Sequence, residues 1–277
     1  MMIEFSEASH RAEALRRLDG TVNPRLRQVM QALTRHLFAF IKEVQPTEAE
    51  WMQGIQFLTE TGKMCDDVRQ EFILMSDTLG VSMLVDGLNH RRQENSTESS
   101  VLGPFYREGA PHLQMGASIA NDTKGDEVGF TGQVRSLSGS PIESATLDVW
   151  QTAPNGLYEV QDPDQPDYNL RGVFTTGPDG RYEFRTVKPV SYAIPHDGPV
   201  GKLLEAVRRH PFRPAHVHFI VSAPGYETVV TELYSDDDRY LESDAVFGVK
   251  NSLVVHYGRD GAAWRCAFDF VLKPAKA

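Results

Sequence analysis

Near residue 95 the chain stops reading as helix and begins to read as sheet, and few folds accommodate that division. Upstream, Leu26, Val29, Met30, Leu33, Leu37, Phe40 and Ile41 recur at the spacing that lines one face of a helix. Thr47 followed by Glu50 is a capping-box signal, and it opens a second amphipathic stretch through Trp51, Ile55, Phe57 and Leu58. A third helical stretch runs from about Asp66 to Leu88, with Gly80 placed to bend or break it. The only prolines in this part, Pro24 and Pro46, stand near helix starts.

From Gly103 onward Gly and Pro become frequent, and short β-type runs alternate with turn signals every ~8–12 residues. The expected strands are Gly129–Arg135, Ala145–Gln151, Gly172–Thr176, Tyr182–Thr186, Ala215–Ser222, Thr228–Tyr234, Ser252–His256 and Trp264–Val271. Gly177-Pro-Asp-Gly180 sits between two of them as a tight hairpin turn should. Gly201–His210 reads as a short helix. The fold class expected is α+β. Residues 1–100 form an N-terminal helical region, and residues 101–277 form an all-β antiparallel sandwich that carries the site.

Composition excludes several kinds of partner. Lys and Arg number 28 against 38 Asp and Glu, a formal charge of −10, whereas nucleic acid and anionic membranes call for a basic footprint. The two cysteines, Cys65 and Cys266, form no CxxC pair, so neither a disulfide framework nor a thiolate zinc site is expected. No apolar run reaches the ~18–20 residues a membrane helix requires, and the opening residues lack the features of a signal peptide. A cytoplasmic location is the expectation.

The most chemically informative residues are His216 and His218. On a strand, residues two apart share a face, so both imidazoles project into one space. Such a pair either holds a metal ion or consists of strand histidines facing solvent. Glu205 and Glu232 show no diagnostic spacing that would complete a carboxylate triad. Tyr158, in a turn after an apolar strand, and Tyr192, in a loop between prolines, are alternatives as ligands and as core residues. A tyrosine ligand must lose a proton with an ordinary pKa near ~10, which a strong Lewis acid such as Fe(III) makes easy.

Asp148-Val-Trp-Gln151, Asn155-Gly-Leu-Tyr158, Asn169-Leu-Arg-Gly172, Asp179-Gly-Arg-Tyr182, Pro189-Val-Ser-Tyr192 and Arg213-Pro-Ala-His-Val-His218 together resemble the intradiol ring-cleavage dioxygenases in order and spacing. The likeness covers most of the chain, including Leu102-Gly-Pro-Phe-Tyr106. Leu84-Val-Asp86, Asp197-Gly-Pro-Val-Gly201 and the run from Asp244 to Val255 look most like the hydroxyquinol-cleaving branch, and less like the catechol-cleaving one.

The resemblance implies one non-haem Fe(III) per subunit, held by Tyr158, Tyr192, His216 and His218 with a hydroxide in a fifth position. It makes Tyr192 the ligand that leaves and takes a substrate proton, and Arg213 the cation that stabilises charge on the ring. It places Asp86, Leu102, Gly103, Pro104, Phe105, Ile194, Pro195 and Val246 around a small aromatic diol or triol that reacts with O2. Asp86, which interrupts an apolar helical run, is the expected partner of a third ring hydroxyl. Position 232 departs from the pattern, with Glu where catechol-cleaving relatives generally carry Gln. The N-terminal helices are expected to pair two subunits into a homodimer enclosing an apolar tunnel that can hold a lipid. Rival readings of the residues alone are a non-catalytic sandwich module and a hydrolase using His216, His218 and a carboxylate.

Overall fold

A computed structural model describes residues 6–67, 69–91, 95–121, 124–261 and 263–275. The opening residues read above for a signal peptide lie largely outside these. Residues up to Glu60 form one compact unit, and those from Thr61 onward form another.

In the first unit, α1 (Glu7–Arg16) starts at Ser6, whose side chain and that of Ser9 cap each other's backbone. α2 (Pro24–Val44) starts at Asn23, whose Oδ1 accepts from the backbone of Arg25 at 2.9 Å and Leu26 at 3.1 Å, with Pro24 in the first turn. Ahead of α3 (Glu48–Lys63), Thr47 and Glu50 form the expected capping box. No residue of α2 is buried, and its apolar stripe from Leu26 to Phe40 faces outward.

The second unit opens with α4 (Glu71–Thr78) and α5 (Val81–Asn89), so helical texture extends into the unit that carries the sheets. Gly80 lies between them with φ +76°, a left-handed conformation that ends α4 outright. Regular helix begins only at Glu71, later than the Asp66 expected.

Twelve strands follow among the described residues: β1 (Glu127–Ser136), β2 (Thr146–Trp150), β3 (Arg171–Thr175), β4 (Arg181–Val187), β5 (Tyr192–Ala193), β6 (Phe212–Arg213), β7 (His216–Ser222), β8 (Val229–Ser235), β9 (Val254–Val255), β10 (Gly258–Asp260), β11 (Ala263–Ala267) and β12 (Phe270–Leu272). One sheet runs β10-β11-β1-β12 with β4 also on β1, and the other runs β3-β2-β7-β8-β9. Phe130 and Phe184 of the first sheet meet Phe219 of the second at ring separations of 6.3 and 6.1 Å, closing a sandwich core.

Three details differ from the sequence expectation. Pairing is antiparallel except where β11 and β12 add parallel to β1, and β9 to β8. The run expected as one strand to Val271 is two, broken at Phe268-Asp269, while the strand expected at Ser252–His256 is strand only at Val254–Val255, its first two residues belonging to a 3-10 turn at Asn251–Leu253. The short helix α6 (Pro199–Ala206) starts two residues early because Pro199 supplies its first turn.

β7 positions the site. Val217, Phe219 and Val221 point into the core, so His216 and His218 must point to the opposite face. Register then fixes their neighbours: Trp150 and Glu232 stand opposite His218, and Tyr234 opposite His216. A separate two-stranded pairing sets Tyr192 opposite Arg213.

Candidate metal centre

Four donor atoms converge at the polar face of β7. His216 Nε2 lies 3.1 Å from His218 Nε2, which lies 3.0 Å from Tyr158 Oη, which lies 3.3 Å from Tyr192 Oη. All four residues are buried. The loop carrying Tyr158 is shaped by Asn155, whose Oδ1 accepts from Leu157 N at 3.1 Å, and by Gly156, which lies against Tyr192 Cβ. Trp150 stacks flat on the His218 ring at 4.7 Å, and Phe105 stacks on Tyr158 at 4.7 Å. Gly103 stands so near His218 that a Cβ there would lie 3.0 Å from the ring.

The chemistry of these donors fits a metal ion. His216 Nδ1 is 2.7 Å from the Pro214 carbonyl, so Nδ1 carries the proton and Nε2 presents a lone pair. His218 Nδ1 stands 3.2 Å from Glu232 Oε1, off the line of a good hydrogen bond, and its Nε2 is the nitrogen turned toward the other donors. Ligation through Nε2 on both rings sets two lone pairs against each other across 3.1 Å, an arrangement that repels without a cation between them. Metal bonds of ~2.0–2.2 Å set neighbouring ligand atoms roughly 3 Å apart, as found here.

Burial pushes the Tyr158 phenol well above its ordinary range, and the neighbouring Tyr192 adds to this. Burial also raises Tyr192, while Arg213 pulls it the other way. His218 is held well below the usual imidazole range by burial, and His216 is lowered by burial and then by Arg213. The site therefore keeps both imidazoles neutral, as ligation requires, and needs a cation to ionise the phenols.

Glu232 is a third candidate beside the histidines. Its carboxylate is, however, taken up by Arg213, at 2.6 Å to Nη1 and 2.9 Å to Nη2. Burial would raise the Glu232 pKa, but Arg213 outweighs it and holds the group well below the carboxylate range. Arg213 is further held by Asp244 at 3.2 Å, and its Nη1 lies 3.2 Å from His216 Nε2.

A cavity of about 300 Å³ lies close by, lined in part by Leu74, Asp77, Pro104, Phe105 and Pro195. Ile194 and Val246 pack with Leu74 in a buried apolar cluster. Of the expected pocket residues, Gly103 thus touches a histidine ring, Pro104, Phe105 and Pro195 line the cavity, and Ile194 and Val246 back it. Leu102 is 42% exposed and is not among the lining residues.

Asp86, expected to meet a third ring hydroxyl, is engaged by other groups. Its carboxylate is bound to Ser99 Oγ at 2.8 Å, Lys250 Nζ at 3.2 Å and His90 Nδ1 at 2.7 Å, away from the cavity lining. Two buried carboxyls line the cavity: Glu71, paired with Arg69 at 2.9 Å, and Asp77, one turn after Leu74 on α4. Burial raises its pKa, with Ser82 and Arg213 opposing. Sequence reading missed Asp77, although it interrupts an apolar helical run just as Asp86 does.

Residues 101–274 match the family described as dioxygenase, and residues 23–97 match the catechol dioxygenase N terminus. The chain belongs to the intradiol ring-cleavage dioxygenases, enzymes that hold non-haem iron. It is 49% identical to a hydroxyquinol 1,2-dioxygenase of Rhizobium sp. (strain MTP-10005), across 97% of this chain and 96% of that one. The crystal structure of hydroxyquinol 1,2-dioxygenase from Pseudomonas putida DLL-E4 superposes with a TM-score of 0.93 at 49% identity, covering 97% of this chain and 99% of that one. Wild-type catechol 1,2-dioxygenase of Acinetobacter radioresistens has the same fold, with a TM-score of 0.85 at 27% identity over 99% of this chain and 94% of that one.

Proposed function

We propose that this dioxygenase opens hydroxyquinol (benzene-1,2,4-triol) between its adjacent hydroxyls, giving 3-hydroxy-cis,cis-muconate and its tautomer maleylacetate. The observation that carries the reading is the convergence of Tyr158, Tyr192, His216 and His218 donor atoms within 3.0–3.3 Å of one another along the chain of contacts. These four would hold one Fe(III) per subunit. Bound there, iron supplies Lewis acidity toward the ring hydroxyls and electronic communication between ring and dioxygen.

The chain's own residues do the rest. Tyr192 Oη, ionised when it serves as a ligand, would receive a proton from a ring hydroxyl, for which a buried phenolate has high affinity. Arg213, next to His216, places a permanent cation beside charge that builds on the ring. Pro104, Phe105, Leu74 and Pro195 hold the ring and exclude water. Asp77 supplies the polar group that a third hydroxyl needs, which supports hydroxyquinol over catechol. The machinery draws on α4 as well as the sandwich, and the helices of the first unit have another task. The outward stripe Leu26, Leu33, Leu37 and Phe40 of α2, with Trp51 and Ile55 of α3, supports a homodimer formed through these helices, with an acyl chain enclosed between them. Two free cysteines, Cys65 and Cys266, accord with a cytoplasmic setting.

Purified protein should be reddish from tyrosinate-to-iron charge transfer and should consume oxygen with hydroxyquinol. His216→Ala should lose iron and colour while its circular dichroism and melting stay near wild type. Full iron occupancy in that variant would overturn the ligand assignment.

A further inference from the structure

Glu232 does more than neutralise Arg213. Its Oε1 receives Arg213 Nη1 at 2.6 Å and stands 3.2 Å from His218 Nδ1. Its Oε2 receives Arg213 Nη2 at 2.9 Å, Ser100 Oγ at 2.8 Å and the Tyr234 hydroxyl. The side chain is fully buried, and His218 Nδ1 has no well-aligned acceptor of its own, so Oε1 is the acceptor in reach. An amide could not replace this carboxylate without cost. With its NH2 at the Oε2 position it would set a donor against Arg213 Nη2. With its NH2 at the Oε1 position it would set one against both Arg213 Nη1 and the His218 N–H.

We propose that Glu232 is a positioning residue of the metal centre: its carboxylate fixes the His218 ring with Nε2 turned inward, and it draws Arg213 into the protein beside that ring. This rests on His218 being an iron ligand. A carboxylate accepting from Nδ1–H makes the imidazole a stronger donor at Nε2 and lowers the electron demand of the iron it serves. The same carboxylate, together with Asp244, offsets part of the Arg213 charge, so the cation near the ring is weaker than a free guanidinium.

The test compares wild type, Glu232→Gln and Tyr234→Phe as purified iron-loaded proteins. Tyr234→Phe disturbs the same buried network on the Oε2 side and leaves Oε1 against His218. Glu232→Gln should move the charge-transfer band to longer wavelength and weaken iron binding, measured by chelator competition, roughly 10–100-fold. Tyr234→Phe should leave the band in place. A Glu232→Gln protein with wild-type band and affinity, or equal shifts in the two variants, would overturn the proposal. A wild type without iron or colour would instead overturn the ligand reading on which it rests. Should Glu232→Gln fail to fold, wild-type protein loaded with diamagnetic gallium(III) still decides. The His218 Nδ1 proton should resonate far downfield as a carboxylate-bonded N–H, and an ordinary imidazole position would refute the contact.

Discussion

Of the two buried carboxyls that line the cavity, Glu71 is paired with Arg69; Asp77→Ala removes the other and leaves the four metal-facing donors untouched. Hydroxyquinol carries one more hydroxyl than catechol, and a buried hydroxyl left without a partner costs about 1–3 kcal/mol. At ~1.4 kcal/mol per factor of ten, kcat/KM for hydroxyquinol should fall about 5- to 150-fold. Catechol, which has no hydroxyl to place there, should lose far less. Oxygen uptake under steady-state conditions with both substrates reads the ratio directly. Asp86→Ala provides the contrast. It breaks the pairing with Lys250 and Ser99, so it should lower the melting temperature while leaving the substrate ratio where it was. Equal losses on the two substrates in Asp77→Ala would refute the reasoning, as would a change of ratio that follows Asp86.

The raised pKa of Asp77 predicts that Asp77→Asn is more stable than wild type at neutral pH even as it turns over poorly. Because the folded value lies above the unfolded one, the gain is full above the folded value and fades as pH falls through the ordinary carboxylate range near ~4, which thermal melts at several pH values will show. Tyr192→Phe should keep iron, less tightly, but cycle slowly because the phenolic proton acceptor is gone; unchanged turnover in stopped-flow assays would exclude that role. Gly103→Ala should weaken iron binding more than it lowers stability, since the new methyl presses on His218 from a backbone position with φ +76°; metal titration and melting of the same sample separate the two.

How much of this was legible beforehand depended on range. His216 and His218 could be paired from sequence because a strand alternates faces every residue, and the apolar Val217 and Phe219 say which face is core. Tyr158 and Tyr192 could be joined to them only through resemblance. Tyr158 lies on a loop and Tyr192 on the short strand β5, and it is the β2–β7 register and the Tyr192–Arg213 pairing that bring them within reach. Asp77 and Asp86 look alike in the sequence, each an acid within an apolar helical run. The break at Gly80 puts them on different helices, and only tertiary packing shows that one lines the cavity while the other meets Lys250. The strand expected at Ser252–His256 misled for a related reason, since alternation at Leu253 and Val255 is also met by a 3-10 turn that runs into two residues of strand.

The central claim is a ring opening between adjacent hydroxyls in which dioxygen supplies both inserted atoms. Single turnover of hydroxyquinol under labelled dioxygen, with mass analysis of the trapped ring-opened diacid, tests it most directly. One labelled oxygen is expected in each of the two new carboxylates. A product labelled at one atom only, or cleaved outside the pair of adjacent hydroxyls, would contradict it.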